Sequence, residues 1–247
     1  MATFVETFAS DQAGMYGWRG NQEGPKALEY LPDEDGGACL SRSPWWIDYN
    51  HAPNELGKGA GYLHMVFTYT TKGPVSELYA EVGGGRGGGE HTNAFVAGGW
   101  PTDFTNASIT LRLRGEVTNL HGASLVLLVQ GMVDGICSGY LLTGQPIPIT
   151  PDYQEATIVC SDDPAQWTPL GSRHDRTETY GVKPFERLLS SVDTNFLFVL
   201  FPLDVRPVPG LYPPPVGLEL PQGAREPAEG YSAEEASLPH GPQLLRP

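Results

Sequence analysis

An all-β fold, a sandwich of two antiparallel sheets with one short helix, is what this sequence predicts, and three observations predict it. With 31 Gly and 23 Pro in 247 residues the chain is heavily punctuated by turns. Charged residues make up only 18% of it, far from the Lys/Glu-rich composition of helical proteins. Its apolar residues fall in short runs, rich in β-branched and aromatic side chains and bounded by Gly, Pro or Asp, as strands do.

Phe4 to Phe8 reads as an opening edge strand, and Tyr62 to Thr70 as the next strand. Ala107 to Arg114 alternates strictly, with Ile109, Leu111 and Leu113 on one face and Ser108, Thr110, Arg112 and Arg114 on the other. That is a half-exposed strand. Ser124 to Gln130 is apolar without interruption, which suits a strand covered on both sides, and the turn residues between Gly115 and Gly122 suggest a hairpin joining the two. Ile136 to Leu142, Glu155 to Cys160 and Asn195 to Leu203 are further strands, and Val216 to Leu220 is the last.

The one helix expected is Pro184 to Val192. Proline is tolerated in a first turn, and Phe185, Leu188, Leu189 and Val192 share a face. Gly83 to Gly89 has no strand-to-helix context and no GK[ST], so it reads as a flexible loop and not a phosphate cradle. Residues 1–220 are expected to form one β-sandwich domain. The Pro/Glu/Ala-rich tail, residues 221–247, has too little apolar surface to order itself.

The formal net charge of −14, with no Lys/Arg cluster, argues against a nucleic-acid partner. No run reaches the roughly 18 apolar residues of a membrane span, and the N-terminus lacks a signal-peptide pattern, so a soluble, cytoplasmic chain is expected. Cys39, Cys137 and Cys160 are an odd set without metal-ligand spacing and read as buried thiols, although a Cys137–Cys160 bridge is conceivable if their strands are neighbours.

Phe4-Val-Glu-Thr-Phe8 with Gly17-Trp18, Pro101-Thr-Asp-Phe-Thr-Asn106 before an alternating strand, and a helix feeding Asn195 to Leu203 together resemble the galactose-binding-like jelly rolls of carbohydrate-binding modules and related bacterial proteins. The resemblance covers roughly residues 1–220. It implies a jelly-roll topology and a glycan or other small-molecule ligand. In that family the last strand usually carries an acidic residue just after a Gly-containing turn, whereas here none follows Gly210 until Glu219. Many such modules also hold a calcium near the first strand, for which Glu6 and Asp11 are the nearby acidic residues; no metal or cofactor is expected in this chain.

The segment Ser43-Pro-Trp-Trp-Ile-Asp-Tyr-Asn-His51 combines flat aromatic faces with hydrogen-bonding groups, the mixture that stacks on a pyranose and grips its hydroxyls. Trp45, Trp46, Asp48 and Asn50 are therefore candidate ligand-binding residues. Consecutive tryptophans in extended backbone point to opposite faces, so one of the pair is expected to pack in the core. Trp100, Trp167 and Asp103 are candidates on similar grounds, though the tryptophans equally suit the core and an Asx side chain in such a turn more often caps the local backbone. A second dense cluster, Arg173-His-Asp-Arg176, offers Arg173, Asp175 and Arg176 to a carboxylate or vicinal hydroxyls, or else holds only its own loop.

Three functions follow. The first is a non-catalytic carbohydrate-binding or small-ligand-binding protein. The second is a metal-independent lyase or isomerase on the same scaffold, with His51 or His64 as base, Tyr62 or Tyr180 as acid and Arg173 or Arg176 neutralising a substrate carboxylate. The third is an assembly subunit, with exposed strand edges supporting homo-oligomers.

Overall fold

The computed structural model describes residues 3–8, 18–19, 28–31, 34, 36–41, 60–71, 93–116, 122–171, 180–204, 206–207 and 218–219. They form a mostly β protein. In chain order the elements are β1 (Trp18–Arg19), β2 (Leu28–Leu31), β3 (Ala38–Ser41), β4 (Ala60–Tyr69), α1 (Ala94–Ala97), β5 (Ser108–Leu113), β6 (Ser124–Val133), β7 (Ile136–Leu141), β8 (Gln154–Val159), β9 (Thr168–Leu170), α2 (Phe185–Leu189), β10 (Asn195–Asp204), β11 (Arg206–Pro207) and β12 (Leu218–Glu219).

The main sheet runs β1-β4-β10-β6-β7-β9, each neighbour antiparallel to the next. Its centre is where the sequence is most apolar. β6 is buried from Leu125 through Gly131, and β10 from Asn195 through Phe201. A strand apolar on both sides finds cover only in the middle of a layered sheet, and each fully buried Leu, Val or Phe contributes about 1.5–3 kcal/mol over its exposed state.

Period two divides these side chains between two faces. On the first face Leu125, Leu127, Val129, Phe196, Phe198 and Leu200 form a cluster with Leu188, Leu189 and Phe185 of α2. The two-stranded sheet β5-β8 adds Ile109, Leu111, Leu113 and Ile158 to this cluster. β5 keeps Ser108, Thr110 and Arg112 exposed, and Thr110 meets Thr157 across the pair, Oγ1 to Oγ1, at 2.9 Å. On the second face Val126, Leu128, Leu197, Val199 and Phe201 join Tyr62, Leu141 and Leu170. Every member of this second cluster belongs to the main sheet itself.

Several expectations need correction. β5 and β6 do not form a hairpin: β5 pairs with β8, and β6 pairs with β7 and β10. The half-exposed pattern of β5 fits an outer layer, whereas β6 needs a partner on each side. The tight hairpin is β6-β7, turned by Asp134 and Gly135 at φ 51° and 74°, the two left-handed positions of a type I′ turn. An exposed two-pronged contact from Arg187 to the Asp134 carboxylate, at 2.7 and 2.8 Å, ties that turn to α2 and holds the carboxyl below its ordinary pKa.

There are two short helices among the described residues, not one. α2 is shorter than Pro184 to Val192: Pro184 occupies the N-cap, and the helix stops at Leu189. Val192 lies beyond it, fully buried, with its amide donating to the Thr102 carbonyl where the chain turns into β10. α1 is capped by Asn93 and ends at Gly98. Phe4 to Phe8 is not a strand, although Phe4 packs edge-on against Phe95 and Trp100 at 5.4 and 5.7 Å. Of Val216 to Leu220, only Leu218–Glu219 is described as strand, paired with Arg206–Pro207. The glycine loop 83–89 and the tail 221–247 lie outside the described residues.

None of the three cysteines is in a disulfide. Burial pushes the Cys160 thiol up to about 12; burial and then the Glu6 carboxylate push Cys39 to about 12 as well. Thiolate is the reactive form, so Cys160 should resist alkylation by iodoacetamide at mildly alkaline pH until denaturant unfolds the chain. Mass spectrometry of the labelled peptide reads this directly.

Candidate functional site

Of the tryptophan-bearing segment, residues 42–59 lie outside the described set, and with them Trp45, Trp46, Asp48, Asn50 and His51. The same holds for residues 172–179, which include Arg173, His174, Asp175 and Arg176, and for Asp11. The residues flanking both segments are described. Ser41 donates its hydroxyl to the Met65 carbonyl, and Ala60 stands opposite Asp204 at one end of β10. Leu170 stands opposite Gly139, and Tyr180 bridges to Cys137. Gly139 in turn pairs with Gln130, which pairs with Asn195 at the other end of β10.

Ala60 and Leu170 therefore sit about 30 Å apart along the strand direction, at about 3.3 Å per residue. The candidate acid and base residues divide in the same way. Tyr62 is 1% exposed and packs in the second-face cluster beside Phe201. His64 stands opposite Val199. Tyr180, 4% exposed, packs with Cys137 and Met132 beyond the far end of β10. By register, His64 and Tyr62 are offset from Tyr180 by roughly 20–25 Å along the strand direction alone, with β10, β6 and β7 between them. One small molecule does not span that distance.

The other candidates occupy local roles. Trp100 is partly buried against the first-face core, with Phe4 on its edge and its indole close over Gly98. Asp103 is exposed, its Oδ1 accepts from the Thr105 amide at 2.9 Å, and hydrogen bonding from the Thr105 side chain and then from that amide lowers its pKa. Trp167 is buried against Phe185, and its indole N–H donates to the Ser161 carbonyl at 2.9 Å.

Polar groups outside the two predicted clusters are more informative. Glu6 accepts from the Phe8 amide through Oε1, while its buried Oε2 has no hydrogen-bond partner. Among the described residues no group of three or more His, Cys, Asp or Glu is arranged to hold a metal ion. No helix among them is long and apolar enough to cross a membrane. A groove lined by Ser124, Leu125, Pro146, Ile147, Pro148 and Ile149 offers one hydroxyl and no ionisable side chain.

Asn195 stands apart. It is 0% exposed, and neither its Nδ2 nor its Oδ1 makes a hydrogen bond. Leaving a buried polar group unsatisfied costs about 1–3 kcal/mol, so such groups are few in folded proteins and each calls for a reason. Its Cα partners are Tyr69 on β4 and Gln130 on β6, both buried, and directly opposed residues share a face. Phe67, opposite Leu197, packs edge-on against Tyr69 at 5.8 Å. The second face is therefore apolar along most of its length and ends in a band of carboxamides beside two aromatic rings. The sequence signal was present: Asn195 opens an otherwise apolar strand and shares its period-two face with Leu197, Val199 and Phe201.

No protein-family model matches the chain, and neither a curated protein nor a solved structure is significantly similar to it; what is shown is a mostly β protein with antiparallel sheets.

Proposed function

We propose that this chain is a non-catalytic binder of a carbohydrate or similar small polar ligand, built on a β-sandwich of jelly-roll type. The observation that carries the reading is the composition of residues 45–51, where Trp45 and Trp46 precede Asp48, Asn50 and His51. Aromatic faces beside short hydrogen-bonding side chains match the two-sided chemistry of a sugar, apolar on its C–H face and polar at its rim. The small β5-β8 sheet layered on the main sheet supports the sandwich architecture. Binding is preferred over acid–base catalysis because both candidate acids, Tyr62 and Tyr180, are buried, at 1% and 4% exposure.

Calorimetric titration with a panel of neutral and acidic glycans tests the reading. At least one should bind. Replacing Trp45 or Trp46 by Ala should weaken the best binder by about 1–3 kcal/mol if that ring is the stacking platform. No binding by any member of the panel would set the proposal aside.

A further inference from the structure

We propose that the open edge of β5 is a self-association surface, on which a second copy of this chain lays its own β5 antiparallel to the first. The two edges of the β5-β8 sheet differ. Val159, opposite Ser108, donates its N–H to Gln145 Oε1 at 2.9 Å, and its carbonyl accepts from Gln145 Nε2 at 2.8 Å, so a side chain occupies the outer edge of β8 there. At the other end of β8 the Gln154 side chain donates to the Pro148 carbonyl. The run 145–148 that makes both contacts is itself bridged to the main sheet, Ile147 to Leu125. The edge of β8 is thus covered, as a sheet edge must be to avoid stray pairing.

β5 has no such cover among the described residues. In an antiparallel ladder, residues that turn their backbone bonds away from each other alternate with residues that exchange them. Val159 and Ser108 are a pair of the first kind, because Val159 spends its backbone groups on Gln145. Thr110 and Thr157 are therefore the next, which agrees with the close approach of their hydroxyls at 2.9 Å. Ser108 and Thr110 accordingly direct their N–H and C=O groups outward, and among the described residues nothing bonds to those groups. Both side chains are exposed, and Ile109, Leu111 and Leu113 between them and beyond are only partly buried, whereas Ile158 of β8 is 3% exposed. The strand is incomplete in its hydrogen bonds and in its apolar cover on the same side.

The order of residues in β5 selects a second β5 as the occupant. With Thr110 of one copy opposite Thr110 of the other, Ile109 lies against Leu111 and Leu113 against Ala107, apolar beside apolar. Arg112 then falls opposite Ser108 and meets no like charge. Moving the centre toward Ser108 runs Leu113 past the end of the other strand, and moving it toward Arg112 brings two guanidiniums together. The contact is two-fold and self-complementary, and it joins the small sheets into one continuous layer, β8-β5-β5-β8.

Sedimentation of the full chain over a concentration series up to about 1 mM tests this, together with backbone hydrogen exchange at low and high concentration. A monomer–dimer equilibrium is expected, with exchange at the Ser108 and Thr110 amides slowing as the dimer fills. Thr110 sits on the two-fold axis, so T110K and T110E should each dimerise at least about tenfold more weakly, while an equimolar mixture of the two recovers the association. T157K, on the same exposed face but on β8, should leave the dimer unchanged. A wild type that stays monomeric throughout overturns the proposal, as does a dimer that T110K leaves intact or T157K abolishes. Protection of the Ser108 and Thr110 amides that is independent of concentration also overturns it, because another segment of the same chain would then cover the edge. Should T110K or T110E not fold, the concentration dependence of exchange in the wild type decides.

Discussion

Replacement of Leu127 by Ala is expected to lower unfolding stability by about 2–5 kcal/mol, the range for emptying a fully buried leucine site. Leu127 is 0% exposed and lies in the first-face cluster. Its neighbour across the ladder is Phe198, and its carbonyl accepts from the Leu142 amide at 2.8 Å. The backbone is therefore held on both sides and has little freedom to collapse into the cavity. Urea unfolding should show a lower midpoint with an unchanged slope. Val159→Ala is the control: Val159 is 38% exposed at the end of β8, so its truncation should stay within about 0.5 kcal/mol.

Asn93→Ala is expected to cost about 2–4 kcal/mol, more than an exposed helix cap, because one buried side chain closes three bonds, two of them fully buried. Its Oδ1 accepts from the Val96 amide at 2.7 Å, which starts α1. Its Nδ2 donates to Thr68 Oγ1 at 2.8 Å and to the Tyr69 carbonyl at 2.7 Å, which fastens α1 to β4. Asn93 is 2% exposed, so water is poorly placed to replace those bonds. Thermal unfolding measures the loss, and exchange at Val96 and Ala97 should accelerate more than exchange in β7. Equal loss throughout would mean that α1 has no stability of its own to lose.

What could be read in the sequence was mostly periodicity. The alternation of residues 108–113 and the continuous apolar runs of β6 and β10 gave strands whose observed limits differ from expectation by three residues or fewer. Pairing was less legible. Leu113 and Ser124 are close in sequence, yet β5 and β6 lie in different layers, because burial on two faces determines who becomes central and proximity does not. Asp134-Gly135 was a direct hairpin signal that the longer turn after Gly115 obscured. Asn93 before four helical residues and Gly98-Gly99 has the punctuation of a helix, but four residues are too few for a periodic face.

The candidate site was legible only as composition. Trp45, Trp46 and the Arg173 cluster advertise ligand chemistry by residue type, whereas the register that separates Tyr62 from Tyr180 is set by strand order. Asn195 escaped notice because one amide at the start of a hydrophobic strand looks like a boundary residue until its missing partners are seen.

The placement of β10 governs when this protein is able to fold. Among the described residues it is the last long strand in chain order, yet it lies between β4 and β6, pairing Asn195 with both Tyr69 and Gln130. Nascent chains that stop short of it expose β6 without its central neighbour, a sticky intermediate that calls for chaperone protection. Arrest at successive lengths should show protease resistance arising abruptly, once Asp204 has cleared the exit tunnel.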